Sequence, residues 1–199
     1  NVIKLTTNFN KPERSESLSG GAGTVDKIGR NAFSHHFTTL SFEERQNFLI
    51  GNGIFRKLWI AAPSSTISSD GLGPLYNARA CQSCHIKDGR GHLPNTEKPL
   101  SLVIKLGQYN NLNLIPDILY GKQFQFFAIP GLPAEVEGKI IKKTLSTKIS
   151  ESFQFDYSNV DFNINNLNFG KFDRNNSLSL RISPHVYGVG LLEAIEETD

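Results

Sequence analysis

Apolar residues follow two different rhythms along this chain. From residue 42 to about residue 60 they recur with roughly helical spacing, at Phe48, Leu49, Phe55, Leu58 and Trp59. Ser41 opens that stretch as a capping box: its hydroxyl accepts from the Glu44 N–H while the Glu44 carboxylate reaches back to the Ser41 N–H. The spacing predicts a helix from near Phe42 to about Ile60, weakened at Gly51 and Gly53 and ended by Pro63. Further on the period changes to two. Phe153, Phe155 and Tyr157 alternate with polar residues, as do Val160, Phe162 and Ile164, and then Leu178, Leu180 and Ile182, which predicts three short strands. Residues 140–149, rich in Ile and Thr, are expected to pair with them in a small antiparallel sheet.

The remaining segments are less patterned. Residues 100–106 fit a strand or a helix, residues 112–120 are interrupted by Pro116, and residues 188–195 predict a helical end. Asn77 or a neighbour is expected to start a short helix carrying Cys81 to His85, with loop from Lys87 to Gly91. Residues 1–30, polar and broken by Gly20, Gly21, Gly23 and Gly29, predict an arm lying on the surface. No internal repeat is visible.

Composition narrows the class. The chain has 199 residues, 38% hydrophobic and 20% charged, which are globular values for one domain or a domain with an insertion. Gly 17 and Pro 9 predict long loops. A net charge of +2 offers no basic stripe, so a nucleic-acid partner is not expected. No stretch reaches the length of a transmembrane helix. The N-terminal run lacks the apolar core of a signal peptide, and with no methionine even at position 1 the chain reads as a processed product, a removed export signal being the natural explanation.

The two cysteines fall in one motif, Cys81-Gln82-Ser83-Cys84-His85. On a helical turn, thiols three residues apart each add to a haem vinyl group, and the adjacent imidazole then faces the iron. A redox dithiol or half a zinc site is the competing reading. The first belongs after a strand in a thioredoxin-like unit, and the second needs two more ligands at matching spacing; neither context is present. The motif therefore predicts one covalent haem c per chain, with His85 as iron ligand. Gly51 and Phe55 form a Gly-x-x-x-Phe pattern that would let another helix cross at Gly while Phe55 covers the haem edge. Arg79 and Arg90 flank the motif and either pair with haem propionates or stand as solvated arginines. Without methionine the iron's sixth position falls to His35, His36, His92, His185, another donor, or none.

Ala32-Phe33-Ser34, Phe48 with Gly51, the run from Asp70-Gly71-Leu72-Gly73-Pro74-Leu75-Tyr76-Asn77-Ala78-Arg79 through Cys81 to His85, and Asp88-Gly89-Arg90-Gly91 resemble the bacterial di-haem oxidoreductases, described as peroxidases or thiol oxidoreductases. Tyr120-Gly121 to Gln125, Ala128-Ile129-Pro130-Gly131-Leu132-Pro133-Ala134-Glu135, and Gly188-Val189-Gly190-Leu191-Leu192-Glu193-Ala194-Ile195 are similar to the same family. The resemblance implies an exported, periplasmic or extracellular protein and an α+β fold. That fold would be a cytochrome c-like helical haem domain over residues 31–199, with long loops and a small antiparallel β insertion at about 139–183. It further implies a haem oxidoreductase, the peroxidase-like N-terminal haem half of a di-haem cytochrome, with Gln125 and Glu135 assisting peroxide chemistry. Relatives carry a second C-x-x-C-H that this chain lacks, so a second haem domain or subunit, or a small redox carrier, is the expected partner. A non-catalytic electron-transfer subunit of a larger assembly is the alternative.

Overall fold

The computed structural model describes residues 11–12, 16–110, 113–150, 153–193 and 195–197, together with the backbone but not the side chain of Ile149. Most of residues 1–15 of the expected arm, and Ala194 of the C-terminal pattern, lie outside the described residues. Among those described, α1 (Phe42–Arg56) is followed by nine strands: β1 (Ile60–Ala61), β2 (Asp70–Leu72), β3 (Leu75–Tyr76), β4 (Leu102–Asn110), β5 (Asn113–Ile115), β6 (Phe127–Ala128), β7 (Val136–Ser150), β8 (Phe153–Leu167) and β9 (Ser177–Ile182). A five-residue helix, α2 (Val189–Glu193), comes last. No helix among the described residues is long and apolar enough to cross a membrane.

The chain divides into two compact units. One comprises Asn1–Gly53 with Tyr187–Asp199. Within it the Phe33 and Tyr187 rings stack at 4.2 Å, and His36 meets the Phe48 ring edge-on at 5.8 Å. The capping box of α1 forms as the sequence predicts, with Ser41 N–H to Glu44 Oε2 at 2.7 Å and Glu44 N–H to Ser41 Oγ at 3.3 Å. These bonds hold the Glu44 carboxyl below its ordinary range. The helix stops at Arg56 rather than near Ile60, because Ile60–Ala61 leaves to pair in parallel with β2.

The other unit, Ile54–Val186, holds the core. In β4 the side chains of Leu102, Ile104 and Leu106 are almost fully covered, and they pack with Tyr120, Phe124, Val136, Ile140 and Phe162. β4 is the middle strand of an antiparallel sheet, between β5 and β9, in a register that sets Leu102 opposite Ile182 and Gly107 opposite Ser177. β7 and β8 form a separate antiparallel ribbon of 15 residues per strand. Ile140 and Phe162 sit opposite each other at its buried end.

This architecture corrects the expected fold class. The chain is mostly β, with two α-helices among its described residues, and does not form a helical cytochrome c-like domain. The strands are not confined to an insertion at about 139–183: β4 and the first residue of β7 lie before it and give Leu102, Ile104, Leu106 and Val136 to the core, which residues 139–183 complete with Ile140 and Phe162. The two patterns from Phe153 to Ile164, read as separate strands, belong to the single strand β8. The short helix expected over Cys81 to His85 is a single 3-10 turn, Cys81–Ser83, and a second turn, Ile86–Asp88, follows it. Lys87 (φ 53) and Asp88 (φ 65) are in the left-handed region, so no α-helix continues into the stretch expected as loop.

Candidate functional site

The 81–85 turn is closed by Cys84 N–H and His85 N–H, both donating to Cys81 O, at 3.1 and 3.0 Å. Cys81 is exposed and Cys84 half-buried, and both thiols are free. Burial pushes the Cys84 thiol up, the neighbouring Cys81 adds to this, and the Ser101 N–H opposes it. The Phe55 ring lies 6.2 Å from the His85 ring, bringing together two residues the sequence singled out.

The orientation of His85 comes from far along the chain. Its Nδ1 lies 2.6 Å from Pro184 O. A carbonyl only accepts, so Nδ1 carries the proton and Nε2 keeps its lone pair for a metal. Three more bonds tie the same segment to the turn: Ser183 Oγ to Cys84 O at 2.5 Å, Gly91 N–H to Ser183 O at 2.9 Å, and Val186 N–H to Asp88 O at 3.1 Å. Gly91 makes this closeness possible. A Cβ there would stand 2.5 Å from Ser183 Oγ and 2.8 Å from Ser101 O.

Beside the turn is a cavity of about 390 Å³, lined by Cys84 and Arg79 and by the apolar Leu58, Tyr76, Leu100 and Phe127. Arg79 reaches it with an exposed side chain, while its carbonyl accepts from Trp59 N–H at 2.8 Å. Arg90 is exposed and does not line the cavity. His92 and His185 are exposed on this unit. In the other unit His35 is exposed, and His36 holds Phe37 O at 2.8 Å through Nδ1.

Gln125 and Glu135 are joined through the backbone. Gln125 N–H donates to Glu135 Oε2 at 2.7 Å, and Glu135 N–H donates to Gln125 O at 3.1 Å. Glu135 is 8% exposed, and burial raises its carboxyl above the usual glutamate range against the lowering effect of the Gln125 N–H. Phe124, fully buried, anchors the loop from below. β6, two residues past Gln125, pairs with β3 on the cavity wall, Tyr76 opposite Phe127 with rings stacked at 5.8 Å.

Residues 14–115 match the family described as "Di-haem oxidoreductase, putative peroxidase". The chain belongs to this family. The matched region contains Phe55, Arg79, Cys81, Cys84, His85 and Arg90 and ends before Gln125. No curated protein and no solved structure matches the chain. Membership in the di-haem oxidoreductases implies a haem cofactor, and the donor set fits one. Two free thiols stand three residues apart on one turn, an imidazole has its Nε2 left open, and the adjoining cavity is walled mainly by apolar side chains.

Sequence reasoning missed Ser183 and Pro184. They lie 99 residues from Cys84 and His85, and their contributions are a hydroxyl and a carbonyl that no spacing rule marks. Of Asn77 and its neighbours, it is Ala80 that stands at the N-cap position of the Cys81–Ser83 turn, and Asn77 has another place. Its side chain binds the backbone on either side of Gln125.

Proposed function

We propose that this chain is an exported peroxidase-like oxidoreductase domain. It would carry one haem c through thioether bonds from Cys81 and Cys84, with His85 Nε2 on the iron. The observation that carries the reading is the buried Glu135 carboxylate, hydrogen-bonded to Gln125 in a loop that continues into the wall of the Cys84 cavity.

The haem supplies the iron-centred redox chemistry when bound. The residues of the chain manage protons and position. Nδ1–H of His85, held by Pro184 O, keeps the imidazole turned with Nε2 free to act as a ligand. Arg79 and Arg90 offer forked donors to the propionates. The Gln125 side-chain amide orients hydrogen peroxide, and Glu135 takes the proton from one peroxide oxygen and returns it to the other as the O–O bond breaks. Burial suits Glu135 to this relay, because a carboxyl raised toward neutrality both holds and releases a proton. Each peroxide consumes two protons and two electrons and leaves as two waters. The electrons arrive from a second haem domain or subunit, or from a small redox carrier.

Visible and electron paramagnetic resonance spectra of the ferric protein test the assignment. It requires a high-spin ferric iron whose spectra change on adding peroxide. A low-spin bis-histidine iron inert to peroxide and cyanide would replace it with the electron-transfer reading.

A further inference from the structure

The short β3–β6 ladder does not end where its backbone pairing ends. Pro74 O accepts from Ile129 N–H at 3.0 Å, Leu75 pairs with Ala128, and Tyr76 with Phe127. Continued by one step, that register sets Asn77 opposite Phe126. There the side chain takes over from the backbone. Asn77 Nδ2 donates to Phe124 O at 2.9 Å, and Phe126 N–H donates to Asn77 Oδ1 at 3.0 Å.

These two bonds straddle Gln125. The polar backbone groups of Gln125 itself are both taken by Glu135, its N–H by the carboxylate and its carbonyl by the Glu135 N–H. The Gln125 backbone is thus held on one side by Glu135 and on the other by Asn77, which lines the cavity with Cys84 and lies four residues before Cys81.

We propose that Asn77 is a positioning residue: its side-chain amide locks the register between the haem-attachment turn and the Gln125–Glu135 pair, so that the pair would keep a fixed place relative to a haem held by that turn. The inference rests on the peroxidase reading for what the lock serves, but not for the lock itself. The residue type follows from the bonding. One group must donate to a carbonyl and accept from an N–H two residues further on, which a primary amide does from two separate atoms and which alanine or a carboxylate does not. Aspartate keeps the acceptor for Phe126 and turns a charge toward Phe124 O.

The test uses the haem-loaded protein and its Asn77→Ala and Asn77→Asp variants, with two independent readouts. Amide hydrogen exchange reads the lock. At Gln125 and Phe126 it should speed up about tenfold in Asn77→Ala, with Ile104 and Leu106 unchanged. In Asn77→Asp, Phe126 should stay closer to the parent than Gln125. Peroxide kinetics read its purpose. The rate should fall about tenfold at unchanged haem content. Its acid limb should move to higher pH, because a loosened Gln125 N–H no longer lowers the Glu135 pKa. The titratable group that feels that carboxylate is Tyr120, which is not altered.

Unchanged exchange in both variants would overturn the lock. Faster exchange with an unchanged rate and pH profile would overturn its role in positioning. A parent protein that ignores peroxide would overturn the peroxidase reading alone, which the exchange data would register as a lock still present.

Discussion

Two carboxylates of the larger unit are equally buried and oppositely held. Asp117 and Glu135 are each 8% exposed. Asp117 accepts four hydrogen bonds, from Leu119 N–H, Tyr120 N–H, Asp173 N–H and the Asn176 amide, at 2.8, 3.0, 3.1 and 2.5 Å. Burial alone would raise its carboxyl, and the four donors outweigh burial and hold it below the ordinary aspartate range. Glu135 receives the Gln125 N–H, and there burial wins. The difference separates two jobs. Asp117 closes the corner between the 117–121 turn and residues 173–176 with donors that favour its charged form, whereas burial shifts Glu135 toward its neutral form.

The largest way to disturb both corners at once is Phe124. Its ring is fully buried, edge-on to Tyr120 at 5.2 Å and to Phe172 at 6.0 Å. Phe124→Ala should cost about 3–5 kcal/mol in denaturant unfolding, and should slacken the Gln125 loop along with the Asp117 corner. Next is Asp117→Ala, which leaves buried donors without an acceptor and should cost about 3 kcal/mol. The matching Glu135→Gln should cost about 1 kcal/mol or less in the same measurement. Equal losses for these two carboxylates would erase the distinction.

Urea unfolding against pH sharpens it further. Asp117 has a lowered folded pKa, so its contribution is present above its ordinary value of 3.8 and disappears as pH falls through the folded value. Glu135 has a raised folded pKa, so the parent protein loses stability relative to Glu135→Gln as pH climbs from 4.5 toward the folded value. The slopes of the two variants against parent should therefore have opposite signs. The smallest expected effect is at the haem turn. Ser183→Ala removes the bond to Cys84 O and should cost about 1 kcal/mol, with a faster rate of thiol alkylation at Cys84 before haem is attached.

What the sequence disclosed, it disclosed through local pattern. The capping box of Ser41 and Glu44, the alternation from Phe153 to Ile164 and the motif from Cys81 to His85 are each contained in a few residues, and each maps onto a helix start, a strand and a turn. The fold class went astray because the motif and the resemblance carried a helical expectation. The residues that decide otherwise, Leu102, Ile104 and Leu106 in β4, sit in a stretch short enough to suit strand or helix. Their state is fixed by pairing with β9, more than seventy residues on. The brace from Ser183 and Pro184 and the Asn77 lock were hidden for the same reason, being bonds between side chain and backbone across 99 and 47 to 49 residues. Gln125 and Glu135, ten residues apart, were singled out by resemblance alone, and no pattern in the sequence showed that the carboxylate would bind the Gln125 N–H.

The central claim, that Glu135 relays a proton to peroxide at the haem held by His85, is tested most directly by stopped-flow reaction of the haem-loaded protein and its Glu135→Gln variant with hydrogen peroxide. Ferric spectra and haem content should be identical for the two, with a peroxide rate at least about a hundredfold lower in the variant, the usual scale for a lost acid–base group. Equal rates at equal haem content would contradict it.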